Sequence, residues 1–420
     1  MLESSGLYRK ISQSADWGIE LKEAAGFSFV KMMSRKNAIV DRLHRGIEYL
    51  LDKNRVEVRH GTGSIRARLA DGYSVAIAGN GGEERIETAN VILATGSSPI
   101  VPPPVKLAEH RIVTSDQIFD LKSMPEAVAI LGAGVIGLEF ATFFRELGCR
   151  VTLIEQLERL LPKEDPEIAK ELERLVRQGG TKLLLETRAD LAKIDADRNG
   201  VRIPVRSLKT GETSVEEAEL LLIAVGRKNA VAGLGLEALG VDISNGHVPV
   251  SPYMETSLPG LYAIGDITGS WQLAHVAAHQ GIIAADRIAG AETEPYREEL
   301  VPRCVYTHPQ IACIGWTERQ ATERGYRVKT GKFPFRAIGR AVIHGDTEGF
   351  VKLVCEMETG QILGVHIIGK DATELIGEFS LGMLLETTAW EVSSAVHPHP
   401  ALVEIFGEAA LAAEGKAING

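Results

Sequence analysis

Near one end of the chain, the stretch HPHPALVE (397–404) sets His399 between two prolines and places Glu404 five residues further on. A neutral imidazole with one ring nitrogen anchored by a carboxylate presents the other as a proton acceptor near neutral pH. This is the pattern of an oriented general base. The bland reading of the same residue is a surface or core-capping histidine, and His397 reads equally well as structural. Pro400 leaves a cis His399–Pro400 bond open.

A second constellation lies in AILGAGVIGLEF, where Gly132, Gly134 and Gly137 form G-x-G-x-x-G between an expected strand and an expected helix. Gly132 permits a tight turn, Gly134 lets a backbone approach a pyrophosphate, and Gly137 allows close packing of helix on strand. The first helical N–H groups then face the phosphates with a partial positive charge. Ala133, Val135, Ile136, Leu138 and Glu139 belong to the same cradle. A lone fingerprint is weak, but the next expected strand ends in TLIE, which puts Glu155 21 residues after Gly134. A carboxylate there binds ribose hydroxyls and repels a 2′-phosphate, so NAD is favoured over NADP.

The elements that must position these residues are legible in outline. Residues 28–53 carry apolar residues at helical spacing and read as a long helix. Short β runs are expected at VEVRHG, SVAIAG and ERIETANVILATG, broken by Gly, Asn and Asp turn signals. After Pro125 the pattern strand, Gly-rich turn, helix, strand reads as one βαβ unit. It continues through the EIAKELERLVRQGG helix to ELLLIAVGR. GLYAIGD reads as a strand and AHVAAHQGIIAADRIAG as a helix, followed by an acidic, proline-containing linker over 291–302. From 303 onwards RCVYTH, YRVKTGKF, GFVKLVCE and ILGVHIIG read as strands that precede helices, an α+β pattern and a separate domain.

Composition narrows the function classes. The chain has 420 residues, and 46 basic against 56 acidic side chains leave a formal charge of −10 with no basic stretch, which argues against nucleic acid as the main partner. No apolar run approaches a membrane span, and MLESSGLYRK does not read as a secretory signal, so the expected location is the cytoplasm. The four cysteines, Cys149, Cys304, Cys313 and Cys355, are scattered, with no C-x-x-C or similar pair. They read as free thiols; no metal site is expected.

Further motifs follow one another along the chain: ILATGSSP (92–99), AVGRKN (224–229), TSLPGLYAIGD (256–266), QLAH (272–275), FPFRAIGRA (333–341) and HPHPALVE. Together with the dinucleotide fingerprint they resemble the pyridine nucleotide–disulfide oxidoreductases, most closely the branch that oxidises dihydrolipoamide. The resemblance implies an α/β flavoprotein fold with two dinucleotide-binding domains, the first Rossmann unit truncated, and a C-terminal α+β dimerisation domain. The implied division is 1–119 (remainder of the FAD domain), 120–240 (NAD domain), 241–298 (return to the FAD domain) and 299–420 (interface domain).

By the same resemblance FAD and NAD are the cofactors. Thr95, Gly96 and Ser97, with Gly61, line the flavin site, and Asp266 accepts a hydrogen bond from the ribitol. Gln272, Leu273, Ala274 and His275 run beside the isoalloxazine, with a helix N-terminus near the reduced ring. Gly226 lies beside the nicotinamide nucleotide and Glu139 near the meeting of nicotinamide and flavin. His399 is the base and Glu404 its orienting carboxylate, and the histidine serves the partner subunit, which makes the enzyme a homodimer. Its task is to deprotonate a substrate thiol, because the thiolate attacks a disulfide. Implied partners are the lipoyl-bearing acyltransferase of a 2-oxo acid dehydrogenase complex or the lipoyl protein of glycine cleavage.

One departure stands out. The resemblance implies an N-terminal strand, a Gly-rich FAD fingerprint and two cysteines four residues apart ahead of the segment that MLESSGLYRKI resembles. The chain is therefore expected to be an incomplete copy, or one with a misplaced start, and inactive as it stands. A degraded gene is a further explanation. The alternatives in function are a soluble pyridine nucleotide transhydrogenase, or a non-catalytic NAD-binding dimer. Glu155-Gln156 opposes glutathione reductase, and a tail without a cysteine pair opposes mercuric reductase.

Overall fold

The computed structural model describes residues 1–79, 81–108 and 110–419. The chain divides into two units, one made of Met1–Met33, Ile100–Gly226 and Glu299–Gly420, the other of Ser34–Pro99 and Arg227–Glu298. By contacts, then, the chain divides at 99/100 and at 226/227. The reason is pairing: strand Ile112–Thr114 runs parallel to Leu220–Ile223, whereas Arg227–Asn229 pairs with Ser97–Pro99.

The first unit holds a five-stranded parallel sheet in the order Ile112–Thr114, Leu220–Ile223, Ala127–Leu131, Arg150–Ile154, Lys182–Leu184. Its central strands are unbroken apolar runs, as expected where both faces are covered. Helix Val135–Glu146 follows the Gly-rich turn, and helix Pro166–Gln178 follows the next strand. The second of these starts where it does because Asp165 caps it, accepting the Glu167 N–H at 2.9 Å, and Pro166 occupies a first-turn position where no N–H is needed. Its Ile168, Ala169 and Leu172 are buried at helical spacing.

Within the same unit, residues 303–369 form a five-stranded antiparallel sheet, in the order Arg303–Val305, Gln310–Gly315, Ile362–Gly369, Phe350–Glu356, Val328–Pro334. Strand Gln310–Gly315 is absent from the sequence reading because its proline-led start, THPQ, masks a short buried run. Helices Ala372–Leu384, Ala389–Ser394 and Glu404–Ala413 complete this part. A single apolar cluster joins the two sheets: Leu160, Ile168 and Leu172 pack together with Val305, Ile311, Cys313, Phe350 and Ile368.

The second unit contains a three-stranded antiparallel sheet (Thr62–Leu69, Gly72–Gly79, Gly82–Thr88), the parallel pair Val91–Leu93 with Leu261–Ala263, and helix Ala274–Ala289. Its core is Ile65, Tyr73, Leu236, Val248, Leu261 and Ile267. The expected strand at VEVRHG is corrected: residues 56–60 are irregular and pairing begins at Thr62. Alternation of apolar and charged residues there imitates a strand, but none of those side chains is buried. Helix Phe29–Lys53 matches its expected extent.

Close approaches replace side chains at a few glycines. At Gly349, just before strand Phe350–Glu356, φ is +95° and a Cβ would lie 1.9 Å from the Ile368 carbonyl oxygen. Gly349→Ala is expected to lower stability by about 1–3 kcal/mol through overpacking against backbone that cannot yield. A urea denaturation midpoint equal to that of the unmutated chain would refute the clash.

Candidate functional site

Around the G-x-G-x-x-G turn the three glycines do three separable things. Gly132 has φ +101°, and a Cβ there would meet the Ala224 carbonyl oxygen at 2.4 Å, so strand Leu220–Ile223 and the turn could not coexist with a side chain. Gly137 sits against Gly132, where a Cβ would be 2.0 Å from its carbonyl oxygen. At Gly134 nothing lies within 4 Å of such a Cβ. Two glycines are thus spent on packing and one on open space, and Gly134 is also the N-cap of Val135–Glu146, with no side chain capping the helix. Uncapped N–H groups next to open space suit a pyrophosphate. The residues present fit a dinucleotide.

Glu155 follows strand Arg150–Ile154. Its Oε2 accepts the Ala133 N–H at 2.8 Å and its Oε1 the Leu157 N–H at 2.9 Å. The carboxylate therefore ties the Gly-rich turn to the turn beyond the second strand, and each oxygen retains acceptor capacity for a ribose hydroxyl. Gly226 has φ +132°, and its carbonyl oxygen accepts the Ile100 N–H at 3.0 Å. Further along the helix, Glu139 Oε1 accepts the Tyr306 N–H at 3.0 Å. Burial pushes the Glu139 carboxyl above the usual range, and the Tyr306 hydrogen bond only partly opposes this.

His399 and Glu404 are brought together: His399 Nδ1 and Glu404 Oε2 are 2.9 Å apart, and the His399–Pro400 peptide is cis. Glu404 opens helix Glu404–Ala413, and its other oxygen accepts the Ala401 N–H at 2.6 Å. Burial alone would raise the Glu404 carboxyl, but the Ala401 N–H and His399 outweigh it and leave it lowered. A carboxylate fixed on Nδ1 sets the tautomer and leaves Nε2 as the acceptor. The His399 side chain is 79% exposed. His397 is paired elsewhere, with Nε2 3.1 Å from Glu378 Oε1.

In the second unit a polar chain runs through three of the motifs. Ser97 donates its hydroxyl to Asp266 at 2.5 Å, and Arg227 donates to Ser97 Oγ at 2.7 Å and to the Ser97 carbonyl oxygen at 2.8 Å. Arg227 was not singled out in the sequence, although it stands inside AVGRKN. Thr95 spends its hydroxyl on the Ala230 carbonyl oxygen at 2.8 Å, and Gln272 donates to Asn229 at 3.0 Å. A Cβ on Gly61 would meet the Ala78 carbonyl oxygen at 2.7 Å, so packing within the chain already accounts for that glycine. Gly96 has φ +69° and open space around it. Leu273 is the N-cap of helix Ala274–Ala289, which has no side-chain cap, and Ala274 and His275 form its exposed first turn. Asp266, Gly96 and this helix end fit a flavin, and Gly61 and the Thr95 hydroxyl also make contacts within the chain.

All four cysteines are free. Burial pushes the thiols of Cys149 and Cys355 up to about 12 and that of Cys304 up to about 11, and it raises Cys313 well above its ordinary value. Cys304 pairs across the hairpin with Ala312, and Cys313 with Arg303, so these two are not opposite each other. None is a nucleophile at neutral pH.

The chain belongs to the pyridine nucleotide-disulphide oxidoreductase family, which it matches over residues 4–281, with the family's dimerisation domain matching residues 301–410. It is 40% identical over 425 residues to a dihydrolipoyl dehydrogenase of Bacillus subtilis, covering 100% of this chain and 89% of that protein. Dihydrolipoyl dehydrogenase 3 of Pseudomonas putida is 36% identical over 421 residues, with the same coverage of each. Among solved structures, LpdA from Mycobacterium tuberculosis superposes with a TM-score of 0.89 at 28% identity, over 97% of this chain and 87% of that one. The HOCl-induced flavoprotein disulfide reductase RclA from Escherichia coli gives 0.81 at 26% identity, over 96% and 87%.

The raised Glu139 carboxyl has a consequence for stability. A folded-state value above the unfolded one means that the native state binds more protons between the two, so stability falls as pH rises from the ordinary carboxylate range, near 4.5, through the raised value. Glu139→Gln keeps an acceptor for Tyr306 and removes the buried charge. Its melting temperature should exceed that of the unmutated protein at pH 8, and the gap should close towards pH 4. A constant gap across that range would show that Glu139 pays no penalty for ionising.

Proposed function

We propose that this chain is a dihydrolipoyl dehydrogenase-type oxidoreductase acting with FAD and NAD: dihydrolipoamide + NAD⁺ → lipoamide + NADH + H⁺. The observation that carries the reading is the His399–Glu404 pair, a fixed-tautomer base of the kind a thiol substrate requires and a nicotinamide-to-nicotinamide exchange does not. Full-length relatives named dihydrolipoyl dehydrogenase support it. The segment 120–240 holds NAD, 1–119 with 241–298 holds FAD, and 299–420 makes the homodimer. The partner is a lipoyl-bearing protein such as the acyltransferase of a 2-oxo acid dehydrogenase complex or the lipoyl protein of glycine cleavage, and the compartment is the cytoplasm. Among the described residues no helix is long and apolar enough to cross a membrane.

FAD, when bound, supplies a two-electron carrier between thiol and nicotinamide. Asp266, oriented by Ser97 and Arg227, offers its carboxylate to the ribitol, and the first turn of helix Ala274–Ala289 supports negative charge on the ring. On the NAD side, the N–H groups after Gly134 hold the pyrophosphate and Glu155 the ribose. His399 Nε2 takes the thiol proton and releases it to solvent, while Glu404 stabilises the imidazolium so formed. Both sulfurs of dihydrolipoamide end in the disulfide of lipoamide, and two electrons leave on NAD⁺. The four cysteines of this sequence, three buried and Cys304 half-buried, are unpaired and serve packing and not exchange.

NADH should bind more tightly than NADPH, because a 2′-phosphate would face Glu155. Calorimetry that returned equal affinities for the two would remove the assignment. In a flavin-loaded dimer that also carries the cysteine pair implied by the family resemblance, His399→Gln should slow flavin reduction by dihydrolipoamide by roughly 10²–10⁴-fold, with Glu404→Gln smaller in effect. Flavin reduction by NADH should change much less, since hydride transfer needs no proton from this ring. Stopped-flow absorbance with each reductant decides it, and equal losses in both half-reactions would make His399 a structural residue.

A further inference from the structure

The stretch from Glu155 to Asp165 connects two places that have been described separately. At its start, Glu155 holds the Ala133 N–H of the Gly-rich turn. In its middle, Leu161, buried and at φ +43°, donates its N–H to the Ala133 carbonyl oxygen at 3.4 Å, and Arg159 donates to the Pro162 carbonyl oxygen at 2.6 Å. The backbone N–H and carbonyl of Ala133 are therefore both held by one loop. At the far end, Glu164 and Asp165 are 8% and 0% exposed, and neither faces water.

What holds that far end is a row of polar residues in the antiparallel sheet. The register aligns Arg303 with Cys313, Cys313 with His366, His366 with Lys352 and Lys352 with Lys332, side by side across all five strands. Arg303 grips Glu164 through both Nε (3.1 and 3.3 Å) and an η nitrogen (3.0 Å). Lys352 Nζ is 3.1 Å from Asp165 Oδ2 and 2.7 Å from Glu167 Oε1, with Glu318 at 3.4 Å. Lys332 holds the second Glu167 oxygen at 2.7 Å. His366 is fully buried between the two grips; its Nε2 donates to the Trp316 carbonyl oxygen at 3.1 Å, and Nδ1 has no partner. Burial lowers its proton affinity, so it stands neutral in the row.

Buried ion pairs of this kind add little net stability over apolar packing, but they fix one geometry, because a shifted partner strands a charge. Here the geometry fixed is that of a loop whose other end forms the dinucleotide cradle. We propose that Arg303 and Lys352 are positioning residues for NAD: from the interface-domain sheet they set the 155–165 loop, and through it the ribose carboxylate and the pyrophosphate turn. This rests on the NAD reading of the G-x-G-x-x-G turn, and it gives the buried row a role in cofactor affinity.

The test uses the full chain with NADH and ADP-ribose as calorimetric probes, on Arg303→Met, Lys352→Met, and the charge-conserving Arg303→Lys and Lys352→Arg. Arg303→Met and Lys352→Met should each weaken both probes by roughly 5–150-fold, the usual span of coupling between sites. ADP-ribose should lose as much as NADH, since the loop serves the adenosine side. Arg303→Lys and Lys352→Arg should recover most of the affinity. A lowered melting temperature with unchanged probe affinity would mean the row is only a structural tie, and the proposal falls. Should the methionine variants fail to yield folded protein, Glu164→Gln is read by the same criterion, since it weakens one grip without stranding a carboxylate. No binding of either probe by the unmutated chain would instead overturn the NAD reading itself.

Discussion

Two strands and a helix cannot meet around the Gly-rich turn unless two residues have no side chain. The Ala224 carbonyl oxygen occupies the place of a Cβ at Gly132, and the Gly132 carbonyl oxygen that of a Cβ at Gly137. Backbone atoms at such distances cannot be displaced by rotating a side chain, so the turn has one shape or none. The open side at Gly134 is what remains for a ligand. Glu155 then converts a turn into a site, because its two oxygens fasten the Ala133 and Leu157 N–H groups and leave the carboxylate at the rim.

The same economy governs the His399 loop. An imidazole on a mobile loop would sample many orientations, and a proton acceptor works only in one. His399 is restrained by the prolines on either side, by Glu404 on Nδ1 and by the Ala401 N–H on the second Glu404 oxygen, which makes the loop and the first turn of helix Glu404–Ala413 a single hydrogen-bonded piece. His397, two residues earlier, looks alike in sequence but is engaged by Glu378, which separates the roles of the two histidines.

Much of this was legible in residue order, and the reasons for the rest are specific. The glycine spacing and the carboxylate after TLIE carry a local signature, since turn, helix start and strand end follow within one βαβ unit. His399 and Glu404 are also close in sequence, so their pairing was readable. The Arg227–Ser97–Asp266 chain was not, because its members are separated by 130 and 169 positions and meet only through tertiary pairing. The buried row was hidden in a different way. Arg303, His366 and Lys352 lie in strands expected from the sequence, but Cys313 lies in one that is not, and nothing in residue order says which residues stand opposite one another. Only the sheet register shows the four side by side. VEVRHG misled in the opposite direction: it alternates without a partner strand, and alternation alone does not make a sheet.

A histidine that is 79% exposed poses a final physical question, since a water-facing imidazole gains little from an oriented carboxylate. In the same C-terminal part of the chain Leu381, Leu384, Leu385, Trp390 and Val396 are all exposed. Patches of large apolar side chains on one face of a protein mark contact surfaces, and this part of the chain matches the family's dimerisation domain. Val396 immediately precedes the HPHP stretch, so an assembly that covered it would also remove water beside that loop and strengthen the His399–Glu404 interaction in the lower local dielectric. On the proposed reading of His399 as a base, covering Val396 would then do more than hold two copies together, because it would also restrict water around the imidazole.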